Sequence, residues 1–429
     1  MPNEGWTRLA FGDCASLIRE SVDPADMPGV PYIGLEHIGE QSLSLVGHGY
    51  SDDVSSTKTL FRKGDILFGK LRPYFRKVII APFDGMCSTD MWVIRPKANI
   101  DAKYLFYWMA SRDFVDASMR GSEGTKMPRA QWEFVSRFKR VVPPLGAQQA
   151  IACILGALDD EIELNRRMNE TLEAMARAIF KSWFVDFDPV RARAAGQQPP
   201  GLAPHIADLF PDAFEESELG KIPKGWRVGG ILEIANLLSG GTPKTSVSEY
   251  WNGSIAWVSA KDVSNAGGLF LLETEKTITQ TGIDNSNAKM LPKNTTVVTA
   301  RGTVGSYCLL GREMAMNQTN YGLRAKTGVG DYFVFFSLVS LVDQLKQQSY
   351  GTIFDTITTR TFQDTLTILP PPLIMNPFEQ RVFPFMAAVL NNLYQSRTLA
   401  ELRDTLLPNL MSGQLRVPEA ENLIERAVT

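Results

Sequence analysis

The sequence predicts an α+β fold: two similar α/β-mixed domains separated by two long helices that pair as an antiparallel coiled coil, with pseudo-two-fold symmetry. Three observations lead there. A repeat runs through the chain with a period of about 225–231 residues, a helical segment with a heptad pattern closes each copy, and short strand and helix patterns punctuated by Gly and Pro precede each helix. The expected boundaries are a first domain at 1–145, a first spacer helix at 146–185, a linker at 186–220, a second domain at 221–373, a second spacer helix at 374–415 and a tail at 416–429.

The repeat is visible as ordered matches. Gly5-Trp6 opens one copy and Gly225-Trp226 the other; an aromatic-led strand at Tyr32 to Ile38 lines up with Trp257 to Val263. Lys63-Gly64-Asp65-Ile66 matches Lys293-Asn294-Thr295-Thr296, Ser88-Thr89-Asp90 matches Gln318-Thr319-Asn320, and Gly124-Thr125 matches Gly351-Thr352. After Pro143-Pro144-Leu145 and Pro371-Pro372-Leu373 the offset settles at 231, so that Gln149 meets Gln380, Arg166 meets Arg397 and Glu170 meets Glu401. Within the first copy, Asp65 to Phe68, Val78 to Ala81 and Met91 to Arg95 pattern as strands, and Ala102 to Ala110 as a helix.

From Gln148 to about Phe184 the chain has no Pro. Its apolar residues recur at Ile151, Leu155, Leu158 and Ile162, then, beyond Asn165 and Asn169, at Leu172, Ala176 and Ile179. That alternation of three and four is a helix seam. The second helix, about Glu379 to Met411, offers Val382, Met386, Val389 and Leu393, then Leu399, Leu402, Leu406 and Leu410, with Pro384 and Pro408 marking its ends. Each seam needs a partner, and the other copy supplies one. Linked repeats pack like a symmetric dimer, so the expected object is a dumbbell with a spacer of roughly 50 Å. Asp186 to Gly220 patterns as an irregular, extended linker. The aromatic run before and into it, Phe180, Trp183, Phe184 and Phe187, either packs within the chain or docks another subunit.

No apolar run is long enough to span a membrane, and the start lacks the basic-then-apolar pattern of a secretory signal, so a cytoplasmic location is expected. Cys14, Cys87, Cys153 and Cys308 lie far apart, and His37, His48 and His205 supply no zinc spacing. No metal site and no catalytic residue is expected. Gly240-Gly241-Thr242-Pro243-Lys244-Thr245 has the wrong spacing for a phosphate loop, and Asn376-Pro377-Phe378 is a turn leading into a helix. The net charge of −3 hides a division along the chain: +2 over 1–145, −7 over 146–220, +3 over 221–372 and −1 over 373–429. The two globular stretches are mildly positive, which permits phosphate binding.

The densest basic and aromatic stretch is Lys70-Leu71-Arg72-Pro73-Tyr74-Phe75-Arg76-Lys77, four cations in eight residues, on an expected loop. Cations there suit phosphates, and Arg suits guanine edges. The candidate DNA contacts are Lys70, Arg72, Tyr74, Arg76, Lys77, Lys126 and Arg129 in the first copy. In the second they are Lys244, Lys261, Arg301, Gln318, Asn320 and Arg360. The corresponding place to 70–77, Thr299 to Thr303, keeps only Arg301, and unequal loops on equal scaffolds suit two domains that recognise different sequences. A standalone DNA-modifying enzyme and a scaffold without DNA affinity stay open on the residues alone.

The whole chain resembles the specificity (S) subunits of Type I restriction–modification systems. The resemblance rests on Lys181-Ser182-Trp183-Phe184-Val185-Asp186-Phe187-Asp188-Pro189 after the first helix and on Leu219-Gly220-Lys221-Ile222-Pro223-Lys224-Gly225-Trp226 at the start of the second domain. Ser239-Gly240-Gly241-Thr242-Pro243 and Tyr250-Trp251-Asn252-Gly253 extend it. One departure is that the family's Pro-Pro-Leu is usually followed closely by Glu-Gln, whereas the first copy has Gln148-Gln149 and the second inserts residues before Glu379-Gln380. The resemblance implies two target-recognition domains that read the halves of a split site in double-stranded DNA. It also implies assembly with methyltransferase (M) and restriction (R) subunits. This chain is expected to bind no cofactor itself, with S-adenosylmethionine, ATP and Mg carried by those partners.

Overall fold

The computed structural model describes residues 5–124, 126–266, 268–348 and 356–428. The chain divides into two units, Met1–Leu164 with Gln395–Thr429, and Asn165–Tyr394. Thr125 and the pair Gly351-Thr352, which belong to one of the matches between the copies, lie outside the described residues.

In the first unit, Thr7–Ala10 pairs antiparallel with Lys139–Val142. A four-stranded sheet follows in the order Ala15–Ile18, Met91–Pro96, Ile66–Gly69, Val78–Ile80, and a five-stranded sheet contains the parallel pair Pro31–Ile33 and Gly85–Cys87. The helix Ala102–Ala110, capped by the Asp101 side chain on the Tyr104 N–H, buries every residue from Tyr104 to Ala110. A helix that is apolar all round belongs in a core, and Phe11, Phe68, Trp92 and Phe114 pack with it in one cluster.

The second unit repeats this plan. Arg227–Gly230 pairs with Leu366–Leu369. Ala235–Ser239, Asn320–Ala325, Thr296–Thr299 and Tyr307–Leu310 form the matching sheet, here extended by Phe270–Leu271. Trp251–Val258 lies parallel to Met314–Met316, as Pro31–Ile33 does to Gly85–Cys87. The core helix is Asp331–Gln348. The duplication expected from the sequence is thus a duplication of strand order. The aromatic-led matches are shorter than expected: Leu35–His37 is a 3-10 turn and Ala260–Ser264 a helix, each after the strand has ended. In the second copy Ser259 ends the strand, because its side chain accepts from the Asp262 N–H and caps the helix.

Two long helices, Leu145–Phe184 and Pro372–Ser412, each contribute one length to either unit. In the first unit Ile151, Leu155 and Leu158 share a buried cluster with Leu406 and Leu410, and Ile162 packs against it. In the second, Val382, Met386 and Val389 are buried in a cluster that Leu172, Ile179 and Leu393 pack against. Asn169 bonds Asn392 at 2.9 Å, while further along the first helix Phe180 meets Phe378, which lies earlier on the second. Advancing on one helix means retreating on the other, so the pair is antiparallel. A buried Asn pair in such a seam fixes its register.

Two expectations need correction. Pro384 and Pro408 do not end the second helix; both lie inside Pro372–Ser412 on its exposed side. There the carbonyls they leave unpaired can turn to water, while Met386, Val389, Leu406 and Leu410 keep the other face buried. The segment 186–220 is not an extended linker either. It holds the helices Asp188–Ala194 and Pro204–Ala207, each with Pro in its first turn, and the strand Phe214–Ser217, which pairs with Gly220–Pro223. The aromatic run ahead of it packs within the chain. Phe180, Trp183, Phe184 and Phe187 are all at most 7% exposed, against Phe210, Trp226, Phe333 and Phe378.

Candidate nucleic-acid interface

The segment 70–77 leaves the strand Ile66–Gly69 and returns in Val78–Ile80. Arg72 (φ 52°) and Arg76 (φ 51°) both take left-handed backbone conformations around the turn Pro73–Phe75. Such angles cost a non-glycine residue on the order of 1 kcal/mol each, so the surroundings must hold them. They do so through the Arg72 N–H on Pro128 O (2.7 Å), the Ala130 N–H on Lys70 O (2.9 Å) and the Gln41 N–H on Phe75 O (3.0 Å). The Leu71–Arg129 bridge brings 126–130 alongside the loop.

A groove of about 410 Å³ opens beside this bridge, lined by Arg19, Lys70, Thr89, Arg129, Gln131 and Trp132 among others. Lys70 and Arg129, far apart in sequence, therefore share one surface. Arg129 is half exposed and pairs with Asp90 at 3.1 Å. Tyr74 and Lys126 are exposed. Arg72 is half-buried, and its Nε is a buried donor without a hydrogen-bond partner. An unpaired buried donor costs about 1–3 kcal/mol. Arg19, Thr89 and Gln131 escaped the sequence reading, since none of them lies in a basic run.

The remaining two cations of the loop point elsewhere. Arg76 is buried, giving its Nε–H to Ala110 O at 2.6 Å and both terminal nitrogens to the Asp404 carboxylate at 3.1 Å. Lys77 gives its Nζ to Leu35 O at 2.8 Å and lies near Glu40. Neither side chain has a face left for a base. For Arg76 the reason is long-range packing against a helix that enters from the far end of the chain; for Lys77 it is the segment around Leu35 and Glu40.

In the second unit, Gly240 and Gly241 allow 240–244 to lie hard against its neighbours: a Cβ on Gly240 would stand 2.2 Å from Asn317 O, and one on Gly241 2.3 Å from the Asn287 carbonyl carbon. Thr242 donates to the Gln318 side chain, which places Gln318 near the exposed Lys244. Lys261 is exposed and paired with Glu275 at 2.7 Å. Arg301 is exposed on a turn that Thr303 ties to Ser264, on the Lys261 helix. Arg360 is exposed within 3.7 Å of Asp364. Asn320 differs from all of these. It is 1% exposed, its amide donates to Val258 O, and it sits inside the sheet, so no base can reach it. Among the described residues no three His, Cys, Asp or Glu side chains gather closely enough to hold a metal, and no helix is long and apolar enough to cross a membrane.

A family model described as the Type I restriction modification DNA specificity domain matches residues 9–174 and again 223–401. The chain is 27% identical over 459 residues to the Type I restriction enzyme HindI specificity subunit of Haemophilus influenzae, spanning 96% of this chain and 99% of that protein. It is 25% identical over 402 residues to the Type I restriction enzyme MjaIX specificity subunit of Methanocaldococcus jannaschii, over 93% and 87% of the two chains. Among solved structures, the S subunit of a Type-I restriction-modification system from M. genitalium shares the fold, with a TM-score of 0.56 over 96% of this chain and 97% of that one, at 13% identity.

Proposed function

The chain belongs to the Type I restriction modification DNA specificity family, and from that membership we propose that it reads a bipartite site in double-stranded DNA on behalf of partner methyltransferase (M) and restriction (R) subunits. It is a specificity subunit, the non-catalytic member of such an enzyme. S-adenosylmethionine, ATP and Mg²⁺ belong to the partners in this reading. The observation that carries it is the double family match on two domains with the same strand order but different surface loops. One scaffold used twice with unequal loops suits two unlike half-sites on one duplex. Lys70, Arg72, Tyr74, Lys126 and Arg129 are the contacts proposed for the first half, and Lys244, Lys261, Arg301, Gln318 and Arg360 for the second.

The test is methylome sequencing of cells that express the chain with its M partner, beside cells in which residues 1–145 are exchanged for those of a relative. A split motif is expected, and the exchange should change one half of it while leaving the other. A contiguous motif, or a change in both halves, overturns the bipartite reading. Methyl transfer by the purified chain alone would make it an enzyme, and salt-independent, sequence-blind behaviour would make it a scaffold.

A further inference from the structure

The first unit contains a chain of polar contacts that the proposed function does not use. Arg76, from the loop 70–77, meets Asp404 of the second long helix through both terminal nitrogens. Asp404 also accepts from Arg403, through Nε at 3.1 Å and Nη2 at 3.0 Å. Arg403, with a side chain only 3% exposed, reaches Asp159 of the first long helix at 2.6 Å. Asp159 accepts from the Tyr107 hydroxyl at 2.5 Å, and Tyr107 lies on the core helix Ala102–Ala110, whose last carbonyl, Ala110 O, accepts from Arg76 Nε. The path therefore closes on itself: loop, second helix, first helix, core helix, loop.

We propose that Arg76 is a positioning residue, and that this ring through Asp404, Arg403, Asp159 and Tyr107 sets the direction in which the loop presents Arg72 and Tyr74. The proposal rests on the reading of 70–77 as a DNA-contacting loop. Its physical basis is a fork-to-carboxylate pair, which fixes angle as well as distance. The pair sits immediately after a turn whose two left-handed residues need external support. Charge complementarity agrees. Burial pushes the Asp404 carboxyl up, but the hydrogen bond from Arg76 and the charges of Arg403 and Arg76 outweigh it and leave the carboxyl below its ordinary value.

The experiment compares Asp404→Asn and Arg76→Lys with wild type in two measurements. Hydrogen–deuterium exchange on the full chain without DNA reads the loop directly. Binding of the chain with its M subunit to duplexes altered in one half-site or the other reads the consequence. Asp404 lies on a helix outside the proposed contacts, and Arg76→Lys keeps the charge, so neither change removes a DNA-contacting group. The expected result is faster exchange over 70–77, with discrimination at the first half-site falling roughly fivefold to a hundredfold, the range of one lost base contact, and the second half-site untouched. Unchanged exchange in both variants overturns the ring as a support, whatever the DNA shows. Faster exchange with intact discrimination overturns the positioning role, and an equal loss at both half-sites reduces the ring to general stability. Wild-type protein without sequence preference would sink the functional reading instead, while the exchange arm still decides the ring.

Discussion

Exchanging Gln148 for Glu isolates what distinguishes the two copies at one repeat position. Gln148 is 2% exposed at the start of the first long helix; its carbonyl accepts from the Asp101 N–H at 2.9 Å, and its amide donates to Pro143 O at 2.9 Å and Asn99 O at 3.2 Å. Its counterpart 231 residues on is Glu379, which accepts from the Tyr332 and Phe333 N–H groups at the start of the other core helix. Glu suits a site with two donors; Gln suits one with a donor and two acceptors. An ionised Glu at 148 keeps the Asp101 bond but turns lone pairs toward two carbonyls. Two lost hydrogen bonds and two buried acceptors left without donors cost about 3–5 kcal/mol. Protonation returns one donor, so the variant's carboxyl pKa should rise. A raised folded-state pKa means its stability is fully present below the unfolded value and lost as pH rises through the folded value. Urea unfolding at pH 5 and pH 8, read by mass-resolved labelling of buried Cys14 in the first unit, with buried Cys308 of the second unit as internal control, measures this. Cys14 protection should fall at pH 8 and recover in part at pH 5, relative to wild type at each pH. Equal protection of Cys14 in variant and wild type at pH 8 would refute the reasoning.

Burial pushes the Glu379 carboxyl up from 4.5 to about 7 despite the backbone donors at Asp331, Tyr332 and Phe333. The second unit should therefore lose up to about 3 kcal/mol as pH rises from 4.5 through 7, and Glu379→Gln should flatten that slope in urea unfolding; an unaltered slope counts against the assignment. Arg72→Ala should relax the first half-site alone in a methylome or a binding titration, by the roughly 1–3 kcal/mol of a base contact or as an even loss if the contact is phosphate. Asn392→Leu leaves the buried Asn169 carbonyl without its donor and should cost about 1–3 kcal/mol in thermal unfolding. Adding Asn169→Leu should restore stability, and failure to recover would mean that the pair is not the source of the cost.

The scaffold was legible because burial leaves a periodic trace. Ile151, Leu155 and Leu158, or Val382, Met386 and Val389, repeat at helical spacing since each turn must cover the same partner, and the trace is local enough to be found without coordinates. Even the misjudged Pro384 and Pro408 fit this rule: a proline signals a helix end only when the neighbouring turns lack other support, and here the seam supplies it. The helices hidden in 186–220 were missed for the opposite reason, being too short for a period to show. The interface was legible only as composition. Four cations in 70–77 announce a basic loop, but which of them is available depends on partners elsewhere in the chain. Arg76 is engaged by a residue 328 positions away and Lys77 by one 42 away, while Arg72 is only half-buried. Counting charge therefore overstates the readers and hides the struts. The same test separates Gln318, near the exposed Lys244, from Asn320, two residues on and sealed in the sheet. Strand alternation puts positions two apart on one face, so the difference arises where the strand begins: Asn320 is its first residue, and Gln318 still belongs to the turn before it.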